Sequence, residues 1–159
     1  MLRRLLIILA MSVAFSATAM AEVDVLDYEL RDLESADDVN LADYRGSVIL
    51  LMFFEPDCTF CLRQTRILND LISSCEGFQP IGVGVNGTRR ALQGERRRLR
   101  ADFPLVQINP QLQAEVGDII GTPVMLLTDT AGRLVTWAQG LQSREVLLDL
   151  ISRIEPAAC

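Results

Sequence analysis

The residues with the plainest chemistry are two cysteines three apart, Cys58 and Cys61, in the stretch "LMFFEPDCTFC". That spacing serves three ends: thiol–disulfide exchange, half of a metal site, or a short staple in the fold. A metal site needs more ligands. Cys75 lies at the end of the following helical pattern and Cys159 at the C-terminus, neither in a second Cys-x-x-Cys, and the chain has no histidine. A purely structural bond is also weak here, because so short a loop constrains little of the unfolded chain. Histidine and lysine are both absent, which removes Cys-His and Ser-His-Asp catalysis and Schiff-base chemistry together. The chemistry left to this chain runs on cysteine, carboxylates or backbone, and neither a cofactor nor a metal is expected.

The flanking elements place the pair. Val48 to Phe54 is apolar throughout, as a central strand covered on both faces must be. From Thr59 to Ser74, Leu62, Ile67, Leu68, Leu71 and Ile72 recur at helical spacing, with Gly77 just beyond. Cys58 therefore falls at a helix start, where free N–H groups and the positive end of the dipole favour a thiolate, and Cys61 falls one turn inside. This makes Cys58 the attacking thiol and Cys61 the resolving one. Thr59-Phe60 between them brings no positive charge, which favours a reductant or a moderate exchange catalyst over a strong oxidant.

Other segments read as follows. Leu26 to Leu33 alternates as a half-buried edge strand, and Glu34 to Asn40 is a polar patch. Pro80 to Asn86 is a second buried strand, Arg89 to Ala101 a helix, and Asn109-Pro110 opens a short helix ending near Gly117. Pro123 to Leu127 and Leu134 to Ala138 form a hairpin around Asp129-Thr130-Ala131-Gly132, and a last helix runs from Ser143 to Ile154. The order gives one α/β domain with a mixed sheet flanked by helices.

The 159 residues, half of them apolar, can bury a core without disulfides. Arg3 and Arg4, the uncharged run Leu5 to Phe15 and Ala19-Met20-Ala21 have the form of a secretory signal peptide over residues 1–21, which retention would turn into an anchor. In a bacterium the destination is the periplasm, either free or anchored at the inner membrane. The whole chain carries net charge −6 and loses Arg3 and Arg4 with the leader, so nucleic acid is not an expected partner.

An apolar strand, a short turn, Cys-x-x-Cys at a helix start and a distant Thr-Pro opening a strand together resemble the thioredoxin superfamily. The order "LADYRGSVILLMFFEPDCTFC", "GVGVN", "GTPVMLLTDTAGRLVTWAQG" is similar to its TlpA-like branch of periplasmic thiol:disulfide oxidoreductases, over about Leu26 to Ile154. The resemblance implies a thioredoxin-like three-layer fold, a cis bond before Pro123, and Thr122 facing the cysteines with its backbone pairing with the bound partner. It also shows departures. Asp57 stands where thioredoxins usually carry tryptophan, Met52 where thioredoxin buries an aspartate, and Gln64 where many TlpA-like reductases carry glutamate. Those acids help move the resolving thiol's proton, which leaves Glu55 as a candidate for that role; alternatively, Glu55 and Asp57 solvate the turn and raise the Cys58 pKa by like-charge repulsion. The peroxidase branch fits less well, since Pro56 is only two residues ahead of Cys58.

In a thioredoxin-like sheet the helices following Cys58 and ending the chain finish near one another, so Cys75 and Cys159 can form a structural disulfide; the alternative is a frayed tail with free thiols. Six arginines, Arg89, Arg90, Arg96, Arg97, Arg98 and Arg100, crowd one predicted helix. Such a run is ordinarily a solvated face, and otherwise a surface for an acidic partner or anionic headgroups. The expected function is disulfide reduction or exchange in client proteins by a monomer re-reduced by a membrane or periplasmic thiol electron donor. The alternatives are a disulfide oxidase or isomerase, and a thioredoxin-fold binding or chaperone module without redox turnover.

Overall fold

A computed structural model of the chain describes residues 24–35 and 37–159; the predicted leader, residues 1–21, lies outside them. Along the chain run β1 (Glu29–Asp32), β2 (Asp38–Asn40), β3 (Val48–Phe54), α1 (Thr59–Ile72), β4 (Phe78–Gly84), α2 (Arg89–Leu99), β5 (Leu105–Gln107), α3 (Pro110–Val116), β6 (Val124–Thr128), β7 (Leu134–Gln139) and α4 (Arg144–Ile154). Two 3-10 turns, Val25–Asp27 and Leu41–Tyr44, accompany them. The strands form one mixed sheet in the order β2-β1-β5-β4-β3-β6-β7. β3 lies parallel to β4 and antiparallel to β6, and every one of its residues is buried.

Because side chains alternate along a strand, β3 feeds two cores. Val48, Leu50, Met52 and Phe54 pack with Leu68 and Leu71 of α1, Leu92 and Leu99 of α2, and Leu147 and Ile151 of α4. Ile49, Leu51 and Phe53 pack on the opposite face with Val25, Leu26 and Leu41 of the 3-10 turns and Leu112 of α3. The result is the expected thioredoxin-like layering, helix, sheet, helix. Gly84 lets α2 come down on β4: a Cβ there would stand 2.9 Å from a Leu92 methyl.

The first expected strand is corrected. The Asp24 carboxylate accepts the Leu26 N–H at 2.9 Å and turns Val25–Asp27 into a 3-10 helix, so the strand begins only at Glu29. It is not an edge either, since β2 covers it on one side and β5 on the other. β2 falls inside the expected polar patch, and β5 is three residues between two prolines; neither is long enough to carry a periodic signal. β4 starts two residues before Pro80, at Phe78, which pairs with Val48. Pairing with β5 begins only at Gly82, so the missing N–H of Pro80 falls where one side of the strand is open.

α1 and α4 contact each other and end at the same pole. There the Gly77 N–H donates to the Ala158 carbonyl at 3.0 Å, Ala158 is buried, and the Cys75 and Cys159 sulfurs are bonded with their Cα atoms 4.0 Å apart.

Candidate active site

At the opposite pole, β3 ends at Phe54 and the chain turns through Glu55-Pro56-Asp57 into α1. Asp57 takes φ 62°, the left-handed region that a side-chain-bearing residue enters at a cost. Cys58 is the N-cap of α1, and its Sγ accepts the Cys61 N–H at 3.1 Å. A sulfur in that position faces the free N–H groups of the first helical turn, which stabilise negative charge on it. Cys58 and Cys61 are disulfide-bonded, Cα to Cα 5.2 Å. Cys58 is 9% exposed and Cys61 0%, so of the two it is Cys58 that reaches the surface.

The loop before β6 closes over this sulfur. The Thr122–Pro123 bond is cis, and the Thr122 carbonyl oxygen lies 3.6 Å from Cys58 Sγ. The Thr122 hydroxyl donates to Glu55 Oε1 at 2.9 Å. Asn86, beyond the end of β4, donates from Nδ2 to Glu55 Oε2 at 3.2 Å and to the Ile119 carbonyl at 3.0 Å. Glu55 thus gathers three segments at the sulfur: its own turn, the β4–α2 turn and the Thr122 loop. In the sequence Asn86 stands only as the end of the expected strand Pro80 to Asn86; its tie to Glu55 spans 31 residues.

A second acid supports the turn from below. Glu95 of α2 is buried, accepts the Asp57 N–H at Oε2 (3.1 Å), and is held by Arg98 through Nε (2.9 Å) and Nη2 (2.7 Å). The Glu95 hydrogen bond in turn raises the Arg98 guanidinium pKa. In the sequence Glu95 stands unmarked among the six arginines of this helix; the local signal it offers is the i,i+3 pairing with Arg98. Gly87 brings the β4–α2 turn against the site, since a Cβ there would stand 2.7 Å from the Pro56 ring.

The two positions lacking an acid have apolar and amide surroundings. Met52 is buried in the same cluster as Cys58 and Cys61. Gln64 is wholly buried one turn beyond Cys61; its Oε1 accepts the Gln142 N–H at 2.8 Å, while its Nε2 has no partner among the described residues. Around the opening, Phe60 is 54% and Ile120 81% exposed, and the Arg63 guanidinium sits 5.9 Å from the Phe60 ring centre. Among the described residues no group of histidine, cysteine or acidic side chains is arranged to hold a metal ion.

A Cys-x-x-Cys pair at the N-terminus of the helix after the central strand, facing a cis-proline loop, defines a thioredoxin-like protein. The chain belongs to the AhpC/TSA family, whose model matches residues 22–134. It is similar to the thiol-disulfide oxidoreductase ResA of Geobacillus thermodenitrificans, with 28% identity over 133 residues, 82% of this chain and 75% of that protein. Among solved structures, a thiol:disulfide interchange protein DsbE from Chlorobium tepidum superposes with a TM-score of 0.70 at 22% identity, covering 80% of this chain and 92% of that one. The exposed lipoprotein thioredoxin Etrx1 of Streptococcus pneumoniae gives 0.68 at 17% identity, covering 79% and 98%.

Proposed function

We propose that this thioredoxin-like thiol–disulfide oxidoreductase works outside the cytoplasm and reduces or exchanges disulfides in client proteins, with Cys58 attacking and Cys61 resolving. The observation that carries the reading is the unequal placement of the two sulfurs: Cys58 capping α1 at the surface, Cys61 sealed behind it. In the reduced protein the Cys58 thiolate attacks one sulfur of a client disulfide; that bond breaks and the departing client thiolate takes a proton from solvent. Cys61, as thiolate, then attacks Cys58 Sγ, re-forming the Cys58–Cys61 bond and releasing the second client thiol. The client gains two electrons and two protons, and a membrane or periplasmic thiol donor restores the pair.

In this mechanism the Cys61 N–H stabilises the Cys58 thiolate, and the client backbone lies along Thr122 and Pro123 between the exposed Phe60 and Ile120. Glu55 positions Thr122 through the 2.9 Å hydrogen bond, which gives it a holding role beside the proton-moving role for which it is a candidate. An extracytoplasmic site is supported by the secretory character of residues 1–21 and by the lipoprotein relative. Dithiothreitol-driven reduction of insulin tests the activity: the wild type should accelerate precipitation of the insulin B chain and Cys58→Ser should not. Equal rates would favour a binding module. The reduction potential of the Cys58–Cys61 couple fixes the direction of exchange.

A further inference from the structure

Beside the redox helix runs a cationic groove. Leu62, Arg66 and Asn69 share one stripe of α1 that starts at the residue after Cys61, and the end of α2 faces it with Arg97, Arg98 and Arg100, enclosing roughly 480 Å³. No acidic side chain lines this groove. Glu95 neutralises Arg98 from beneath, whereas Arg66, Arg97 and Arg100 have no carboxylate partner among the described residues. A neighbouring cleft shares Arg97 and Arg100 with the groove but differs in charge: there Arg96 pairs with Glu34, and Asp32 and Asp102 add negative charge.

The groove is held open by design of its backbone. Asn69 Nδ2 donates to the Arg100 carbonyl at 3.0 Å, and its Oδ1 accepts the Asp102 N–H at 3.1 Å, tying the two walls together. Arg100 closes α2 at φ 52°, a left-handed position that glycine or asparagine usually fills, so the chain bears backbone strain to place a guanidinium there. The negative end of the α2 dipole favours cations in its last turn, but it gives no reason for Arg66 in the middle of α1.

We propose that this groove docks an acidic segment of the protein whose cysteines exchange with Cys58, with its carboxylates across Arg66, Arg97 and Arg100. The inference rests on the redox reading above and narrows the partner's chemistry. From Leu62 to Asn69 the stripe is about 10 Å long, so an extended segment at about 3.3 Å per residue covers it with three or four residues placed next to the reacting cysteine. A partner protein fits better than a membrane. The groove is a slot between two helices, and a chain of net charge −6 is repelled by an anionic sheet while a short segment meets only the arginines.

The test compares synthetic peptides that carry one disulfide beside either a glutamate run or the matching glutamine run. At low salt the reduced protein should reduce the glutamate peptide with a kcat/KM higher by on the order of tenfold, from three exposed pairings of a few fold each. The advantage should vanish in high salt. Arg66→Glu/Arg97→Glu/Arg100→Glu should remove it while leaving the glutamine-peptide rate intact, and Arg66→Gln/Arg97→Gln, a milder pair should the triple fail to fold, should reduce it. A cysteine-free glutamate peptide, followed by fluorescence anisotropy, should bind the oxidised wild type and not the triple variant. Binding without reduction of either peptide would sustain the groove and sink the redox reading. Equal rates for the two peptides with no anisotropy change, or binding to phosphatidylglycerol vesicles without any peptide preference, would overturn the proposal.

Discussion

Replacing Glu95 should loosen the turn that presents Cys58, although Glu95 belongs to a different helix. Its carboxylate is buried and makes one charge-assisted hydrogen bond to the Asp57 N–H, at 3.1 Å, on a residue held at φ 62°. Loss of such a bond costs about 1.5–3 kcal/mol. The Arg98 pair adds less than about 1 kcal/mol, because the Arg98 side chain is 38% exposed and can return to water. Glu95→Ala should therefore destabilise by about 2–3 kcal/mol, and Glu95→Gln, whose amide oxygen still accepts from Asp57, by about 1 kcal/mol. Chemical denaturation reads the global loss, and hydrogen exchange at the Asp57 amide reads the local one. A local loss of about 2 kcal/mol corresponds to roughly thirtyfold faster exchange. Disulfide exchange by Cys58 should slow in the same order, alanine more than glutamine. If Glu95→Ala stays within about 0.5 kcal/mol of the wild type and the Asp57 amide keeps its protection, the support assigned to Glu95 is wrong.

Three further outcomes are expected. The Cys75–Cys159 bond spans a sequence separation of 84, so Cys75→Ala/Cys159→Ala should lose about 4 kcal/mol in guanidinium unfolding with the redox pair kept oxidised; a loss below about 1 kcal/mol would contradict the cross-link account. For Asp129 and Asp24, burial alone raises the carboxyl pKa, but Arg133 with two backbone N–H groups, and Arg45 with the Leu26 N–H, outweigh it and hold both below the ordinary range. Depressed folded-state values contribute stability that is present above about pH 4 and lost as pH falls through them. The urea midpoint should thus fall on acidification, less steeply in Asp24→Asn/Asp129→Asn; an identical slope in that variant would exclude these groups as the cause. Gln64→Glu places a carboxyl in a fully buried site, where its pKa rises. It should match the wild type near pH 4 and be weaker by about 2 kcal/mol or more at pH 8, and equal stability at both would show that the site supplies a donor to the charge.

Long periodic segments and capped helices were legible in the sequence. β3 coincides with the unbroken apolar run Val48 to Phe54, and α4 starts behind its Ser143 cap, whose hydroxyl accepts the Val146 N–H. Asn109 likewise caps α3. Where an acid or a neighbouring strand decided the outcome at a distance, local pattern was silent: Asp24 converted the start of an alternating run to a 3-10 turn, β2 exists because β1 offers it a partner, and β5 because β1 and β4 flank it. The cysteines of the site stood out by type and spacing. Its supports did not, because the links from Glu95 to Asp57, Asn86 to Glu55 and Gln142 to Gln64 join residues 38, 31 and 78 positions apart. A solvated helix face and a helix that buries one carboxylate beneath a redox turn have nearly the same sequence pattern.

The division of labour between the two sulfurs is tested most directly by trapping the mixed disulfide. Cys61→Ser, incubated with a disulfide-bonded client such as insulin and analysed by non-reducing mass spectrometry, should accumulate a covalent adduct through Cys58, while Cys58→Ser should accumulate none. An adduct through Cys61 in Cys58→Ser, with none in Cys61→Ser, would reverse the assignment of attacking and resolving thiols.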